Sequence, residues 1–265
     1  MIELRRWKPA IDACLKAARI HQAGFCRVEV MTKADGSPVT CADRDAERVM
    51  REILLAEYPN DGFVGEEGGE RAGTSGKAWT ADPLDGTIQF VRGMADFGVL
   101  LARHDERGIE LGILCHSMTE GLWIAERGKG AYRTSADRIE PHSATARLRT
   151  NRDDAPRTIE RAVVCFGHVH QMPGAGIDIG LLVSRFKTTI TVDRFLAFTK
   201  VAQGGLDVFI GRLENDWDLF ANQIIVEEAG GTVLLVPLRN GRHVVAARSR
   251  RLAEQAVEAI QRSIC

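Results

Sequence analysis

The chain has 265 residues, with 35 Lys and Arg against 36 Asp and Glu and a formal net charge of -1. That length suits one large domain or two modest ones, and the balanced charge provides no global field to draw the chain to nucleic acid or anionic lipid. Charged residues from Glu3 to Asp12 break up the opening apolar positions and no later run is long enough to span a bilayer, so no membrane association is expected. Six cysteines without a CxxC pair, in a chain that needs no covalent staples, point to reduced thiols and a cytoplasmic setting.

In chain order, Trp7, Ala10, Ile11, Cys14, Leu15, Ala18 and Ile20 recur at three- and four-residue steps and predict an amphipathic helix closed by Gly24. A polar turn follows, from Lys33 to Pro38. A second helical pattern then begins near Asp43, runs through Ala46, Val49, Met50, Ile53 and Leu54, and stops before Pro59. From Phe63 to Ala125 short apolar runs separated by turn residues predict a largely antiparallel sheet. The segment from Thr134 to Pro156 has little periodicity and marks a boundary, dividing the chain into lobes 1–145 and 146–265. Beyond it strands and helices alternate: strands at 162–166, 206–210, 232–236 and 244–247, helices at 192–202, 219–229 and 252–260.

Acidic residues punctuate this pattern. Trp79-Thr80-Ala81-Asp82-Pro83-Leu84-Asp85-Gly86-Thr87 carries a strand into two carboxylates separated by a rigid Pro-Leu step, with Gly86 free to turn. Like charges held together in this way repel, and a divalent cation removes that cost. Phe63-Val64-Gly65-Glu66-Glu67 repeats the strand, glycine, acid order, and Trp217-Asp218 opens an apolar helix. Taken singly these read as an Asp-Gly turn, a solvated acidic loop and a helix cap. Their conjunction carries the metal reading. His168 and His170 have no third ligand at zinc-like spacing, and no zinc is assigned.

Gly65-Glu66-Glu67, Asp82-Pro83-Leu84-Asp85-Gly86-Thr87, and Trp217-Asp218 followed by Glu228-Ala229-Gly230-Gly231 resemble the signatures of the inositol monophosphatase family, as does Val39-Thr40-Cys41-Ala42-Asp43. The resemblance implies an α/β fold, a layered α-β-α-β-α sandwich with an α+β N-terminal lobe carrying most metal ligands. Its α/β C-terminal lobe would carry Asp218 and the specificity residues. It implies Mg2+-dependent hydrolysis of a small phosphate monoester, two or three Mg2+ per site, sensitivity to Li+ and a homodimer. Glu66, Asp82 and the Leu84 carbonyl would hold one ion, and Asp82, Asp85 and Asp218 a second; Glu66 with waters would hold a weaker third. Thr87 and Asp43 would orient and deprotonate the attacking water, while N–H groups at Gly86 and Thr87 would cradle phosphate oxygens. Lys33, which opens the polar turn, would supply a phosphate-facing charge or stand as an exposed surface lysine.

The family's substrate-setting positions depart from the inositol pattern. Val192, Asp193 and Arg194 stand where many members carry small residues, and Gly211 stands where inositol-cleaving members place a glutamate, with Arg212 beside it. Arg194 or Arg212 would meet a second anionic group, whereas Asp193 or Glu214 would meet an amine such as that of histidinol phosphate; Asp85 would also border the substrate. Histidinol phosphate and a 3′(2′),5′-bisphosphate nucleotide therefore stand beside inositol phosphate as expected substrates. A non-catalytic regulatory binding protein on this fold is the reading from another class.

Overall fold

Pro9 lacks an N–H where the first turn of a helix needs none, and α1 (Lys8–Gly24) begins there. Its expected stripe from Ala10 to Ala18 is buried. The Lys33–Pro38 turn joins two short antiparallel strands, β1 (Val30–Thr32) and β2 (Pro38–Thr40), with Val30 opposite Thr40. Thr40 then caps α2 (Cys41–Glu57), and Asp43 returns a bond to the Thr40 N–H in a capping box. The structure is a computed structural model and describes residues 2–34, 36–136, 146–150, 155–213 and 215–264. They fall into two compact units: Met1–Arg147 with Asp216–Ile224, and Leu148–Asn215 with Ile225–Cys265.

In the first unit β3 (Gly62–Gly65), β4 (Gly69–Arg71), β5 (Ala78–Asp85), β6 (Gly98–Asp105), β7 (Gly108–His116), β8 (Gly121–Glu126), β9 (Gly130–Ser135) and β10 (Ala146–Arg147) form one sheet. Its order is β10-β9-β8-β7-β6-β5-β3-β4. Every pairing is antiparallel except that of β3 with β5, so the expected texture holds with one parallel step. Trp7 just before α1, Ile11 of α1 and Met50 and Leu54 of α2 share a buried core with Phe63, Trp79, Val99, Leu101 and Ile113 of the sheet. A smaller cluster joins Ala42, Leu84, Phe90 and Phe97. It ties the start of α2 to the end of β5 and to α3 (Thr87–Val91). His21 packs its ring against Phe90 and Phe97, and burial pushes it down to about 3, so it is neutral at ordinary pH.

In the second unit β11 (Val163–Phe166), β12 (Thr188–Ile190), β13 (Val208–Arg212), β14 (Thr232–Leu238) and β15 (Gly241–Ala247) pair in the order β12-β11-β13-β15-β14. Strand β11 runs parallel to both neighbours, while β15 runs antiparallel to both of its own. Helices α4 (Ile179–Val183), α5 (Arg194–Ala202), α6 (Asp216–Glu228) and α7 (Arg250–Gln261) complete the chain. Leu252, Ala256 and Ile260 of α7 are buried with Val164, Val208 and Val245. Arg248 is buried against Asp207, with Nη1 2.9 Å from Oδ1, while its Nε donates to the Thr150 carbonyl at 2.8 Å. Each unit is thus a sheet flanked by helices, the α/β class expected. Among the described residues no helix is long and apolar enough to cross a membrane.

One placement departs from expectation. Asp218 was expected with the C-terminal lobe, yet the first turns of α6 group with the first unit. Gly112 on β7 explains the close fit, because a methyl there would stand 2.9 Å from the Ala221 carbonyl oxygen. The rings of His104 and Phe220 also meet edge to face at 5.1 Å.

Candidate active site

In a regular strand, residues three apart point to opposite faces, so Asp82 and Asp85 would diverge. Strand β5 breaks that rule. Asp82 pairs with Leu100 and Asp85 with Gly98, so three steps on β5 oppose two on β6. Pro83, which cannot donate to a ladder, sits in this irregular step. The Leu84 N–H donates to Asp82 Oδ1 at 2.9 Å and fixes the first carboxylate. Gly86 then turns with φ +96°, and a Cβ there would also stand 3.0 Å from Phe97 Cβ and 3.1 Å from the Asp96 carbonyl, so both backbone and space call for glycine.

Asp218 arrives from the first turn of α6. Its carbonyl accepts from Asn222 Nδ2 at 2.9 Å. Asp82, Asp85 and Asp218 are all buried, and each offers one oxygen within 4.8 Å of the other two. Two like charges at that range repel by about 3 kcal/mol at an effective dielectric of ~20. An all-oxygen, all-anionic donor set of this kind suits a hard divalent cation such as Mg2+, Mn2+ or Ca2+. The buried triad could coordinate a divalent metal.

Beside it, the helix α2 terminus holds Asp43. Its Oδ2 accepts from the Thr40 N–H at 2.8 Å and from Thr40 Oγ1 at 2.7 Å, leaving Oδ1 3.2 Å from Thr87 Oγ1. Burial raises the pKa of Asp43, and the bonds from Thr40 and Thr87 oppose that rise without cancelling it. The Thr87 hydroxyl is also 3.1 Å from the Leu84 carbonyl. One hydroxyl proton faces two acceptors, so the Thr87 proton can be shared between the carboxylate and the carbonyl.

Glu66 follows β3, its N–H donating to the Ala81 carbonyl at 3.3 Å. Lys33, from the β1–β2 turn, sets its Nζ 2.7 Å from Glu66 Oε1 and 2.5 Å from Glu67 Oε1. Burial pulls the Lys33 ammonium down, but its bonds and charge interactions with Glu66 and Glu67 outweigh that and hold it above the ordinary lysine value. For Glu66 burial leads and raises the pKa, the Lys33 contact lowers it, and the charges of Asp218 and Glu67 raise it again. Glu66 therefore shares the field of Asp218 while its side chain contacts Lys33. Glu47, a buried residue of α2 with no role in the sequence reading, accepts from the N–H groups of Glu67 and Gly68 at 2.7 Å each. Its sequence signals are a place one turn after Asp43 on the same helix face and an Arg51 four residues on, at ion-pair spacing.

The remaining expected residues lie in the second unit. Asp193 caps α5 through the Phe195 N–H at 2.9 Å, with Arg194 opening that helix. Arg212 donates from Nη1 to Gln171 Oε1 at 3.3 Å. A Cβ at Gly211 would stand 2.7 Å from the Phe209 ring, so that ring occupies the room a glutamate would need. Glu214 lies outside the described residues.

The model of the inositol monophosphatase family matches residues 6–264. A histidinol-phosphatase of Chlorobaculum parvum is 31% identical over 231 residues, covering 84% of this chain and 82% of that protein. An inositol-1-monophosphatase of Caulobacter vibrioides is 32% identical over 236 residues, covering 85% and 88%. Among solved structures, the extragenic suppressor protein suhB from Bartonella henselae superposes with a TM-score of 0.83 at 25% identity, covering 98% of this chain and 100% of that one. With a family match running almost from end to end and a buried acidic triad on the motif residues, the chain belongs to the inositol monophosphatase family.

Proposed function

We propose that the chain is a phosphoric monoester hydrolase that uses Mg2+ to cleave a small phosphorylated alcohol. The observation that carries this is the meeting of Asp82, Asp85 and Asp218 within 4.8 Å, with the Asp43 and Thr87 pair reaching the same strand end. Asp82, Asp85 and Asp218 would hold one cation, and Glu66, Asp82 and the Leu84 carbonyl would hold a second, with a third more weakly at Glu66. Bound there, divalent cations offset the charge of the phosphate and make water acidic enough to yield a nucleophile near neutral pH. Asp43 Oδ1 would take up a proton from the attacking water through Thr87 Oγ1, and the Thr40 bonds to Oδ2 keep the carboxylate aimed. The Gly86 and Thr87 N–H groups would cradle the phosphate oxygens. Inhibition by Li+ and assembly as a homodimer belong to the same reading.

Release of inorganic phosphate by the purified chain tests it. Turnover is expected with Mg2+ and absent after chelation; turnover that survives chelation contradicts the reading, and cation binding with no turnover on any substrate favours a non-catalytic binding protein. Inositol 1-phosphate, histidinol phosphate, fructose 1,6-bisphosphate and 3′-phosphoadenosine 5′-phosphate should be ranked by kcat/KM. The Phe209 ring at Gly211 favours histidinol phosphate over inositol 1-phosphate, since no glutamate side chain projects from that position to bind ring hydroxyls. Relatives named for both activities are about equally similar, so the assay decides.

A further inference from the structure

The loop bearing Glu66 is short, glycine-rich and partly exposed, which is a poor platform for a ligand that must be held in place. The anchor comes from elsewhere. Glu47 lies almost fully buried, with one carboxylate oxygen on the Glu67 N–H and the other on the Gly68 N–H, each at 2.7 Å. Arg51, one turn further along α2, sets Nη2 3.2 Å from Glu47 Oε1 and 2.8 Å from the Gly69 carbonyl. The loop is shaped around this carboxylate: a methyl at Gly65 would overlap it, and one at Gly68 would stand 2.5 Å from Oε1.

We infer that Glu47 is a positioning residue for Glu66, holding the two backbone N–H groups that follow it so that the Glu66 carboxylate is set for a cation. The inference rests on the reading of Glu66 as a metal ligand. Donor counting favours a carboxylate. Each of the two adjacent N–H groups has its own oxygen of one side chain, and a glutamine in the same pose would turn its NH2 toward one of them. Because Asp43 and Glu47 stand four residues apart on α2, the same helix face steadies both the Asp43–Thr87 pair and the Glu66 loop. Displacing α2 would therefore disturb the proton acceptor and the metal ligand together.

Calorimetric titration of Mg2+ into the full chain stripped of metal tests this, using wild type, Glu47→Gln, Glu66→Gln and the double variant, each checked for a cooperative melt. Residues that orient a metal ligand typically change affinity about 10- to 100-fold, so Glu47→Gln should weaken binding within that range. If Glu47 acts through Glu66, the double variant should bind no more weakly than Glu66→Gln alone. Gly68→Ala, at an exposed position, pushes the same carboxylate from the loop side and should also weaken binding, which keeps the test open if Glu47→Gln fails to fold. Weakening by Glu66→Gln with wild-type affinity in folded Glu47→Gln and in Gly68→Ala overturns the inference alone. Losses that multiply in the double variant also overturn it. Unchanged affinity in Glu66→Gln overturns the reading of Glu66 as a ligand and the inference with it.

Discussion

Two groups of carboxylates in the first unit are held in different ways. Asp82, Asp85 and Asp218 are buried on a bulged strand and a helix start, and their three oxygens crowd within 4.8 Å. Glu66 and Glu67 sit on a short loop against Lys33, and the Glu66 side chain retains 29% of its exposure. The first group is a fixed concentration of negative charge that a divalent cation relieves. The second carries an ammonium of its own, so a cation arriving at Glu66 must compete with Lys33. On the proposed ligand set, affinity at the triad would be governed by burial and repulsion, and affinity at Glu66 by exchange of one cation for another.

The largest effect should come from breaking the triad. Asp85→Asn keeps the shape and removes one charge, and phosphate release should fall below detection while the melt stays cooperative. A folded variant with substantial turnover would break the distinction drawn between the two groups. Next is the proposed proton acceptor: Asp43→Asn should lower kcat about 10²- to 10⁴-fold, the usual range for general acid–base groups, as read by steady-state kinetics.

The pH profile sharpens the same point. Burial leads in raising Asp43, so it gains its proton at a pH above the ordinary aspartate value of ~3.9, and kcat should fall as pH drops through that raised value. The stability contribution runs the other way. A carboxyl that keeps its proton longer in the folded chain stabilises below the unfolded pKa, and that contribution is lost as pH rises through the folded one. Asp43→Asn should remove its share of both trends, measured by kcat and by melts across the acid range.

A smaller effect is expected at the loop. Lys33→Met removes the resident ammonium, and for a partly exposed ion pair worth up to ~1 kcal/mol this should tighten Mg2+ binding by at most about fivefold in a titration. Weaker binding would mean that Lys33 holds Glu66 in place rather than competing for it. The smallest change lies in the second unit, where Asp193→Ala should cost about 1 kcal/mol through the lost cap on α5, read from a denaturation curve. A kcat/KM that changes for one substrate of the panel and not for another would add a recognition role to that cap.

Much of the first unit was legible in the sequence because amphipathic spacing and turn residues act locally. The helices at Trp7 to Gly24 and Asp43 to Leu54 and most strands from Phe63 onward follow from that rule. The Asp-Pro-Leu-Asp run announced two carboxylates, but strict alternation would have sent them to opposite faces. Their convergence depends on a register step that only pairing with β6 reveals. The unit to which Asp218 belongs was hidden for a similar reason, since it rests on the missing side chain of Gly112 more than 100 residues earlier. Glu47 left little mark beyond helical spacing, because its partners besides Arg51 are backbone N–H groups, which every sequence carries. In the second unit, Asp193 was visible as an acidic residue near a helix start, yet its bond to the Phe195 N–H is a capping bond that residue type alone does not separate from a substrate contact.

The most direct measurement of the central claim is a Mn2+ titration followed by electron paramagnetic resonance, comparing wild type with Asp218→Asn. Saturable loss of the free-ion signal in the wild type, reduced by at least one bound ion in the folded variant, is the expected result. Equal uptake by the two proteins would contradict the claim that Asp82, Asp85 and Asp218 form one cation site.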